Sequence, residues 1–559
     1  MRRQDPRRFM DPALRRDVRF LTSLLGEIIR EQEGAALFRT IEKIRTLAKA
    51  SRARGGGQIR RLSRLIARLP YKTALKVARA FTIYFQLVNL AEEAQRIRRI
   101  LWYESQSGQS LDMSLTWTAH RLKSAGVSSR AFLKRLEGAE VTPVLTAHPT
   151  EVRRRTTMDH LADIGRALEA WSDPLATPAQ KGRSERSIRE TLEILWATNE
   201  ARQRKLAVAD EVSQTLFFVE RTILDLIPEM YDRLEGLARA LGPGAPARVP
   251  SVLHFGSWVG ADRDGNPNVT PQVTWETAAA HRRVILEYYR RKLEDLIRRF
   301  SQAETLLPAG RALHASLEKD RGELPGETKQ LARYEASEAY RKKLSFMHSR
   351  ILRAQSGQPG GYQKAEELMA DLRLIQESLK SQGSRYAASE LEELIRQVET
   401  FRFYLAHLEY RDHRDRILKA LSEILPAVLK RNIPYEALSE EERQGVLTGL
   451  LAGSRVPPLP LKGFSAAAQE ILAQFKTMEK IQRELDPELA RTYLLSMTRA
   501  PSDILAVLLF GLWAGVSFDV VPLFETVPDL ARSQEVMVNL WTNRAYRRYL
   551  AARGFRQEV

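Results

Sequence analysis

The sequence contains no cysteine among its 559 residues. That absence excludes disulfide bonds, a thiolate nucleophile and any metal site built on cysteine. The chain also lacks an uninterrupted run of about 18 apolar residues, so no membrane-spanning helix is predicted. The longest apolar stretch, 504–521, is interrupted by Gly511, Gly515 and Asp519 and is typical of a buried helix that leads into a strand. The first residues lack the apolar segment of a secretory signal, and we therefore expect a cytoplasmic protein.

Acidic residues are in deficit, with 69 Asp and Glu against 88 Lys and Arg, which gives a formal charge of +19. The basic residues are spread along the chain and are mixed with acidic ones, as in residues 288–299. This distribution favours solvated helix faces, with a field that attracts an anionic substrate as the alternative. A basic helical scaffold that binds nucleic acid is a third alternative. No recognisable nucleic-acid module occurs, so neither nucleic acid nor a membrane is an expected partner.

Most of the chain has the periodicity of amphipathic helices. Residues 20–28 place apolar side chains on one helix face, and Gly34 is the predicted end of that helix. Residues 74–102 predict a second long helix. Hydrophobic residues make up 43% of the chain, which is typical of a packed globular protein.

Short runs with strand character are flanked by helical sequence, an alternation that predicts βα units and a parallel sheet. Four of the runs end in a residue suited to chemistry, as expected for a (β/α)-barrel, in which strand ends form the active site. The runs lie near 141–147, 249–255, 403–410, 491–497 and 519–524. The residues at the four strand ends are His148, Trp258 with Asp262, Arg411 and Glu525.

The predicted fold class is α/β and strongly helix-rich, a (β/α) TIM-type barrel surrounded by many additional α-helices. Residues 1–140 are predicted to form an N-terminal helical region. Residues 141–559 are predicted to hold the first barrel strands and helices with long helical insertions, as one continuous domain with that region.

Residues 144–155, VLTAHPTEVRRR, join a histidine to three consecutive arginines after an apolar run. Histidine titrates near neutrality and can accept or donate a proton in a reaction. Arginine donates paired hydrogen bonds to phosphate or carboxylate. The segment therefore indicates acid–base chemistry on an anionic substrate, or alternatively a buried histidine before a basic helix.

Residues 255–270, FGSWVGADRDGNPNVT, place aspartates in a glycine-rich turn. A calcium-binding EF-hand loop would require glycine at its sixth position and glutamate at its twelfth. Those positions hold Pro267 and Val273, so this interpretation fails. The remaining alternative to a functional role is a turn in which Asp and Asn side chains cap backbone amides.

Together the two segments closely resemble phosphoenolpyruvate carboxylase. Ala261 stands where that family usually has a second glycine. Further matching segments are 519–530 (DVVPLFETVPDL) and 492–503 (TYLLSMTRAPSD). A weaker match is 408–412 (LEYRD), where the family usually reads Leu-Asp-x-Arg-Gln. The resemblance extends from about residue 14 to the last residue, and it implies carboxylation of phosphoenolpyruvate by bicarbonate to oxaloacetate and phosphate, with Mg²⁺ or Mn²⁺.

The resemblance assigns roles to residues of this chain. It implies that His148 is the catalytic base and that Glu525 is a metal ligand. The implied substrate-binding residues are Arg411, Arg154, Arg155, Trp258, Asp262 and Arg263. Arg154 and Arg155 have an alternative role as clamps for neighbouring carboxylates, Trp258 one in core packing, and Glu525 one in pairing with an arginine.

The chain ends where the family's Tyr-Ser-Asp-Ser-x-Lys-Asp motif would begin. The resemblance implies that the following part brings a catalytic lysine, a second metal-binding aspartate and the last barrel strands, and that the assembly is a homotetramer. We therefore expect an incomplete barrel and a chain that is the N-terminal portion of such an enzyme. The alternatives are a truncated, inactive fragment and one subunit of a split enzyme completed by a separate C-terminal polypeptide.

Overall fold

The computed structural model describes residues 7–54, 56–105, 111–147, 152–199, 205–242, 248–331, 334, 337–431, 433–453 and 463–559. The helices are α1 Arg7–Glu33, α2 Ala35–Arg54, α3 Gly56–Ala67, α4 Tyr71–Ser105, α5 Leu115–Ser124, α6 Ser129–Leu136, α7 Arg155–Ser172, α8 Pro178–Ala197, α9 Val208–Phe218, α10 Leu224–Ala240, α11 Pro271–Arg299, α12 Arg311–Glu323, α13 Pro325–Gln330, α14 Ala339–Ser356, α15 Ala365–Ser381, α16 Arg385–Phe401, α17 Arg414–Leu429, α18 Glu440–Ala452, α19 Ala466–Glu484, α20 Pro501–Ala514, α21 Val527–Thr542 and α22 Arg544–Ala551. The strands are β1 Val144–Leu145, β2 Gly256–Ser257, β3 His407–Leu408, β4 Tyr410–His413, β5 Thr492–Ser496 and β6 Asp519–Pro522. Short π-helical and 3-10 segments lie at Val219–Ile223 and Tyr435–Ala437.

The chain divides into two compact units. The helical unit comprises Met1–Ala125 and Arg153–Lys205, and the sheet-containing unit comprises Gly126–Val152 and Leu206–Val559.

The helical unit buries one apolar face of each long helix. In α1 the buried face includes Leu21, Leu24 and Ile28, which recur at helical spacing. The helix ends at Glu33 because Gly34 adopts a left-handed φ of 86°, which favours glycine. Helix α4 contains the predicted segment 74–102. Both sequence-based predictions for this unit are confirmed.

The sheet-containing unit holds two three-stranded parallel sheets, in the orders β1-β2-β3 and β4-β5-β6. The register pairs Val144 with Gly256 and Gly256 with His407 in the first sheet. In the second sheet Arg411 pairs with Leu494, which also pairs with Val521. Only Glu409 separates β3 from β4, so the two sheets share one continuous stretch of chain. The predicted helix-rich α/β class is confirmed.

Two strand predictions are displaced along the chain. The run predicted at 249–255 forms an isolated bridge at Leu253, and its strand begins at Gly256. The run predicted at 403–410 becomes a strand only at His407. Arg402 and Leu405 have φ values of 50° and 65°, so the apolar residues between them form a buried turn after α16 rather than a strand.

Helix α20 confirms that the longest apolar stretch is a buried helix leading into a strand. Every residue from Pro501 to Gly511 is buried, and β6 follows at Asp519. A Cβ atom at Gly511 would lie 2.2 Å from the Phe518 ring, so the close packing of helix against chain requires glycine there. Among the described residues, no helix is both long enough and apolar enough to cross a membrane.

Candidate active site

Three predicted site residues of the sheet-containing unit converge on the guanidinium group of Arg411 in β4. Its Nη2 atom lies 2.8 Å from Asp264 Oδ2 and 3.5 Å from Glu525 Oε1, and its Nη1 atom lies 3.3 Å from Asp262 Oδ2. The guanidinium carbon lies 4.9 Å from the centre of the Trp258 ring, a cation–π contact. The Arg411 side chain retains 19% exposure, so solvent reaches this group.

Parallel strand pairing explains this convergence. The Arg263 N–H donates to the Arg411 carbonyl at 2.8 Å, and the Arg411 N–H donates to the Ala261 carbonyl at 3.3 Å. This extra pairing, an isolated parallel bridge between Asp262 and Arg411, joins the turn after β2 to β4. Carboxyl ends of parallel strands share one edge of a sheet, which is where polar side chains meet.

The turn at 262–268 also caps itself. Asp262 Oδ1 accepts the Asp264 N–H at 3.0 Å, and Asn266 Oδ1 accepts the Asn268 N–H at 3.1 Å. Burial raises the pKa of Asp262, against the opposing effect of the Arg411 charge. Asp and Asn side chains therefore do cap backbone amides in this turn, as the alternative interpretation predicts. Asp262 both caps the turn and contacts Arg411.

Arg263 points into the protein interior and is 2% exposed. Its Nη2 atom donates to Thr274 Oγ1 at 2.8 Å, and its Nη1 atom donates to the Ala261 carbonyl at 3.3 Å. The guanidinium carbon lies 5.2 Å from the centre of the Tyr410 ring. These contacts tie the turn to α11 and to β4.

Glu525 follows β6 and is held by a backbone amide. Its Oε2 atom accepts the Met497 N–H at 2.9 Å, while Oε1 faces Arg411. Met497 has a φ of 57°, which is uncommon for a residue other than glycine, and this conformation accompanies the hydrogen bond to the carboxylate. The Glu525 side chain is 35% exposed, so its carboxylate is accessible to an ion or a substrate.

The oxygen ligands around Glu525 fit Mg²⁺ or Mn²⁺ only if water and substrate oxygens supply most of the coordination. Among the described residues, no group of three His, Cys, Asp or Glu side chains has the arrangement of a metal centre. Mg²⁺ is commonly held by one or two carboxylates, with water and substrate phosphate oxygens as the other ligands. The accessible carboxylate of Glu525 beside the Arg411 guanidinium fits that form of site.

Asp412 and Glu409 lie on either side of Arg411 within the segment 408–412. Asp412 is buried, Arg416 Nη1 contacts its two carboxylate oxygens at 2.9 and 3.1 Å, and burial raises its pKa. Glu409 Oε2 accepts the Trp258 Nε1–H at 2.7 Å, and burial raises the pKa of Glu409 as well. Sequence reasoning assigned no role to Glu409, Asp264 or the Met497 amide, although each lies within a matching motif.

The remaining predicted residues are His148, Arg154 and Arg155. His148 lies outside the described residues, and β1 precedes it in the chain. Arg154 and Arg155 belong to the helical unit, at the start of α7. Both are exposed, and Arg154 donates to the carbonyl of Asn199.

Residues 14–559 match the family model described as phosphoenolpyruvate carboxylase. Curated relatives named phosphoenolpyruvate carboxylase include a protein of Roseiflexus castenholzii that is 34% identical, over an alignment that covers 99% of this chain and 61% of the relative. Relatives of that name from Ralstonia nicotianae and Burkholderia vietnamiensis are 32% and 31% identical, each covering 98% of this chain and 58% of the relative. The chain thus spans about three fifths of the length of these relatives.

Proposed function

Since the chain belongs to the phosphoenolpyruvate carboxylase family, we propose that it takes part in the carboxylation of phosphoenolpyruvate by bicarbonate. The products are oxaloacetate and phosphate, an anaplerotic supply to the tricarboxylic acid cycle. The observation that carries the proposal is the convergence of Arg411, Trp258 and Glu525 at the ends of parallel strands.

The reaction begins when a bicarbonate oxygen attacks phosphorus and the bond from phosphorus to the enol oxygen breaks. Carboxyphosphate and the enolate result. Carboxyphosphate then loses its carboxyl proton, its carbon–oxygen bond to phosphate breaks, and carbon dioxide is released. The enolate C3 attacks this carbon dioxide to form oxaloacetate. The charges that develop on the phosphoryl oxygens and on the enolate require cationic partners.

Arg411 is the proposed partner of the substrate phosphate. Its guanidinium has five N–H groups, and Nε is buried with no hydrogen-bond acceptor among the described residues. The contacts to Asp262 at 3.3 Å and Glu525 at 3.5 Å are long for charge-assisted hydrogen bonds. A phosphate oxygen can therefore replace one of these carboxylates without leaving the arginine less well paired than before.

Trp258 and His148 are proposed to act on the bicarbonate side. The Trp258 ring lies against Arg411, so an anion bound by the arginine would lie beside the indole. The role of His148 rests on the family resemblance, which makes it the base that takes the proton released by carboxyphosphate.

Glu525 is the proposed ligand of Mg²⁺ or Mn²⁺. A divalent cation, when bound, would neutralise phosphoryl and enolate oxygens during the reaction. The Met497 amide fixes the Glu525 carboxylate, so one oxygen stays directed towards the site. Asp262 and Arg263 are proposed to support the site by holding the turn, and Arg154 and Arg155 remain proposed anion-binding residues of the helical unit.

The strand order supports a (β/α)-barrel as the finer fold. Six parallel strand segments follow one another in chain order, separated by helices except at Glu409. That order is expected when each strand is added beside its predecessor in a barrel. A cytoplasmic location and a homotetramer are further proposals, and both rest on the family resemblance.

The test of this function combines product formation with substrate binding. Oxaloacetate would be followed by reduction with malate dehydrogenase and NADH, with Mg²⁺, bicarbonate and phosphoenolpyruvate, in the wild-type chain and in His148→Asn. Calorimetric titration with phosphoenolpyruvate would compare Arg411→Gln with Arg298→Gln, a change at an arginine that is 72% exposed. We expect Arg411→Gln alone to weaken binding, by about 10- to 100-fold for one charged hydrogen-bonding group. Equal affinity in the two variants would contradict the role of Arg411, and oxaloacetate formation that survives in His148→Asn would contradict the role of His148.

A further inference from the structure

Glu409 occupies the single residue between β3 and β4, beside the proposed site. Its backbone N–H donates to the Ser257 carbonyl at 3.0 Å, so the residue continues the pairing with the chain that follows β2. Its side chain is partly buried, and its Oε2 atom accepts the indole N–H of Trp258 at 2.7 Å. A hydrogen bond of this length to a carboxylate is among the stronger ones that an indole N–H can make.

Space for the Glu409 carboxylate depends on Gly256 in β2. A Cβ atom at Gly256 would lie 2.7 Å from Glu409 Oε1, closer than real Cβ contacts. Gly256 has no left-handed φ, so the absence of a side chain rather than backbone freedom is what this position supplies. The carboxylate therefore lies in a recess bounded by β2 on one side and by the Trp258 indole on the other.

The orientation of Trp258 bears directly on Arg411. A tryptophan side chain has two rotatable bonds, and a hydrogen bond at Nε1 restricts both of them. The Arg411 guanidinium stacks on the indole ring held in this orientation, with its carbon 4.9 Å from the ring centre. Rotation of the indole would remove the surface on which the guanidinium stacks and leave it with its contacts to Asp262, Asp264 and Glu525 alone.

We propose that Glu409 is a positioning residue that fixes the Trp258 indole and, through it, the Arg411 guanidinium that receives the substrate phosphate. The part that concerns phosphate rests on the proposed function. The reach depends on glutamate, because aspartate is shorter by one methylene group.

The first test needs no ligand and uses the full chain. Nitrogen-15 NMR would record the tryptophan indole and arginine Nε–H resonances, assigned by Trp258→Phe and Arg411→Lys. The wild-type Trp258 indole proton should resonate downfield of an unbonded indole, and the Arg411 Nε–H should show the shielding of the ring. Glu409→Ala and Glu409→Asp should move both resonances, while Glu409→Gln, which keeps an oxygen acceptor at the same reach, should retain most of the wild-type shifts.

Gly256→Ala supplies a second variant that leaves Glu409 itself intact. Its added methyl group should displace the carboxylate and move the same two resonances. A Trp258 indole signal that is unchanged in both Glu409→Ala and Gly256→Ala would overturn the proposal. A moved indole signal with an unmoved Arg411 signal would overturn the coupling between the two side chains.

Calorimetric titration with phosphoenolpyruvate adds the functional readout. We expect Glu409→Ala to bind about fivefold more weakly, the scale of one stacking contact, and Glu409→Gln to bind nearly as the wild type does. If the wild-type chain does not bind phosphoenolpyruvate, the proposed function fails, while the two resonances still decide whether Glu409 positions Trp258 and Arg411. Binding that is equal in Glu409→Ala and the wild type would overturn the claim that the positioning serves the phosphate.

Discussion

One ionic cluster in the sheet-containing unit surrounds Lys343, between α12, α14 and α15, and another surrounds Arg411 at the strand ends. The Lys343 ammonium donates to Ser316 and Asp320, each at 2.8 Å, and contacts Asp371 at 2.6 Å. Three donors thus meet three acceptors, and Lys343 and Asp320 are only 1% and 3% exposed. Arg411 instead contacts Asp264 at 2.8 Å but Asp262 and Glu525 only at 3.3 and 3.5 Å, its side chain is 19% exposed, and its Nε–H has no acceptor in the part of the chain that the structure describes.

The difference distinguishes a cluster that stabilises the fold from the proposed binding site, although both are built from the same residue types. A lysine whose three protons are all used inside the protein has nothing left to offer a ligand. An arginine held loosely by several carboxylates can exchange one of them for a substrate oxygen. Similar charges therefore stabilise the fold around Lys343 and form the proposed site around Arg411.

The largest expected effect is a loss of stability when the cluster around Lys343 is disrupted. Lys343→Met keeps the length of the side chain but removes the cation that contacts Asp371 and one of the two that contact Asp320, since Arg350 also pairs with Asp320 at 2.7 Å. Loss of one partner from a buried ion pair costs about 3–5 kcal/mol, and because Arg350 remains beside Asp320 we expect the free energy of unfolding to fall by about 3–4 kcal/mol. Urea denaturation followed by circular dichroism would measure the change. Lys319→Met, at a lysine that is 73% exposed, is the matched control, and equal stability of the two variants would contradict the contrast.

Acid should weaken the buried interior through His281 in α11. Burial lowers the pKa of His281 to about 4, so the folded state holds the neutral ring while the unfolded chain titrates near 6.5. A lowered folded pKa contributes stability that is fully present above about pH 6.5 and is lost as the pH falls towards 4. The expected loss is on the order of 3 kcal/mol. Urea denaturation at several pH values should show a shallower loss for His281→Gln, and an identical pH profile would refute the assignment.

At the cluster around Arg411 the expected change is in the affinity for a metal ion rather than in the stability of the fold. Glu525→Gln keeps the shape of the side chain and removes the charge, so Mn²⁺ affinity should fall about tenfold, or about 1.4 kcal/mol. Electron paramagnetic resonance of free Mn²⁺, measured with phosphoenolpyruvate present, would give the affinity. Glu535→Gln, at an exposed glutamate of α21, is the control. Unchanged Mn²⁺ affinity in Glu525→Gln would count against a metal at this strand end.

The smallest effect on stability is expected at an exposed ion pair that belongs neither to the Lys343 cluster nor to the proposed site. Arg298 contacts Asp295 one turn away on α11, and both side chains are more than half exposed. Such pairs contribute little because water already solvates both charges. We expect Arg298→Gln to change the free energy of unfolding by less than about 0.5 kcal/mol in urea denaturation. A larger change would contradict the expectation that exposed ion pairs contribute much less to stability than buried ones.

Several features were predictable from the sequence because each depends on neighbours along the chain. Helical spacing of Leu21, Leu24 and Ile28 predicts α1, and the confirmed family follows from motifs with fixed spacing. The glycine-interrupted apolar run predicts α20 and β6. The expectation that strand ends come together placed Arg411, Asp262 and Glu525 at one site, where the structure also brings them into contact.

Other features could not be predicted, because they depend on side chains that are distant in the chain. Glu409 and Trp258 are 151 residues apart, and only the alignment of β2 with β3 makes them hydrogen-bonding partners. The burial of Arg263 is a further case, since a charged residue in a polar turn gives no sign that its guanidinium points inward. The strand predicted at 249–255 begins only at Gly256, because a short apolar run does not reveal at which residue strand pairing begins.

The sequence by itself determined the helices, the order of the strands and the family, because periodicity and motif spacing are properties of the chain alone. The tertiary structure decided which charged side chains have all their hydrogen-bond donors paired within the protein and which do not. Whether Lys343 or Arg411 has a donor to spare depends on how many acceptors distant segments bring within reach. That number is set by packing between helices and by strand register, which no local stretch of residues encodes.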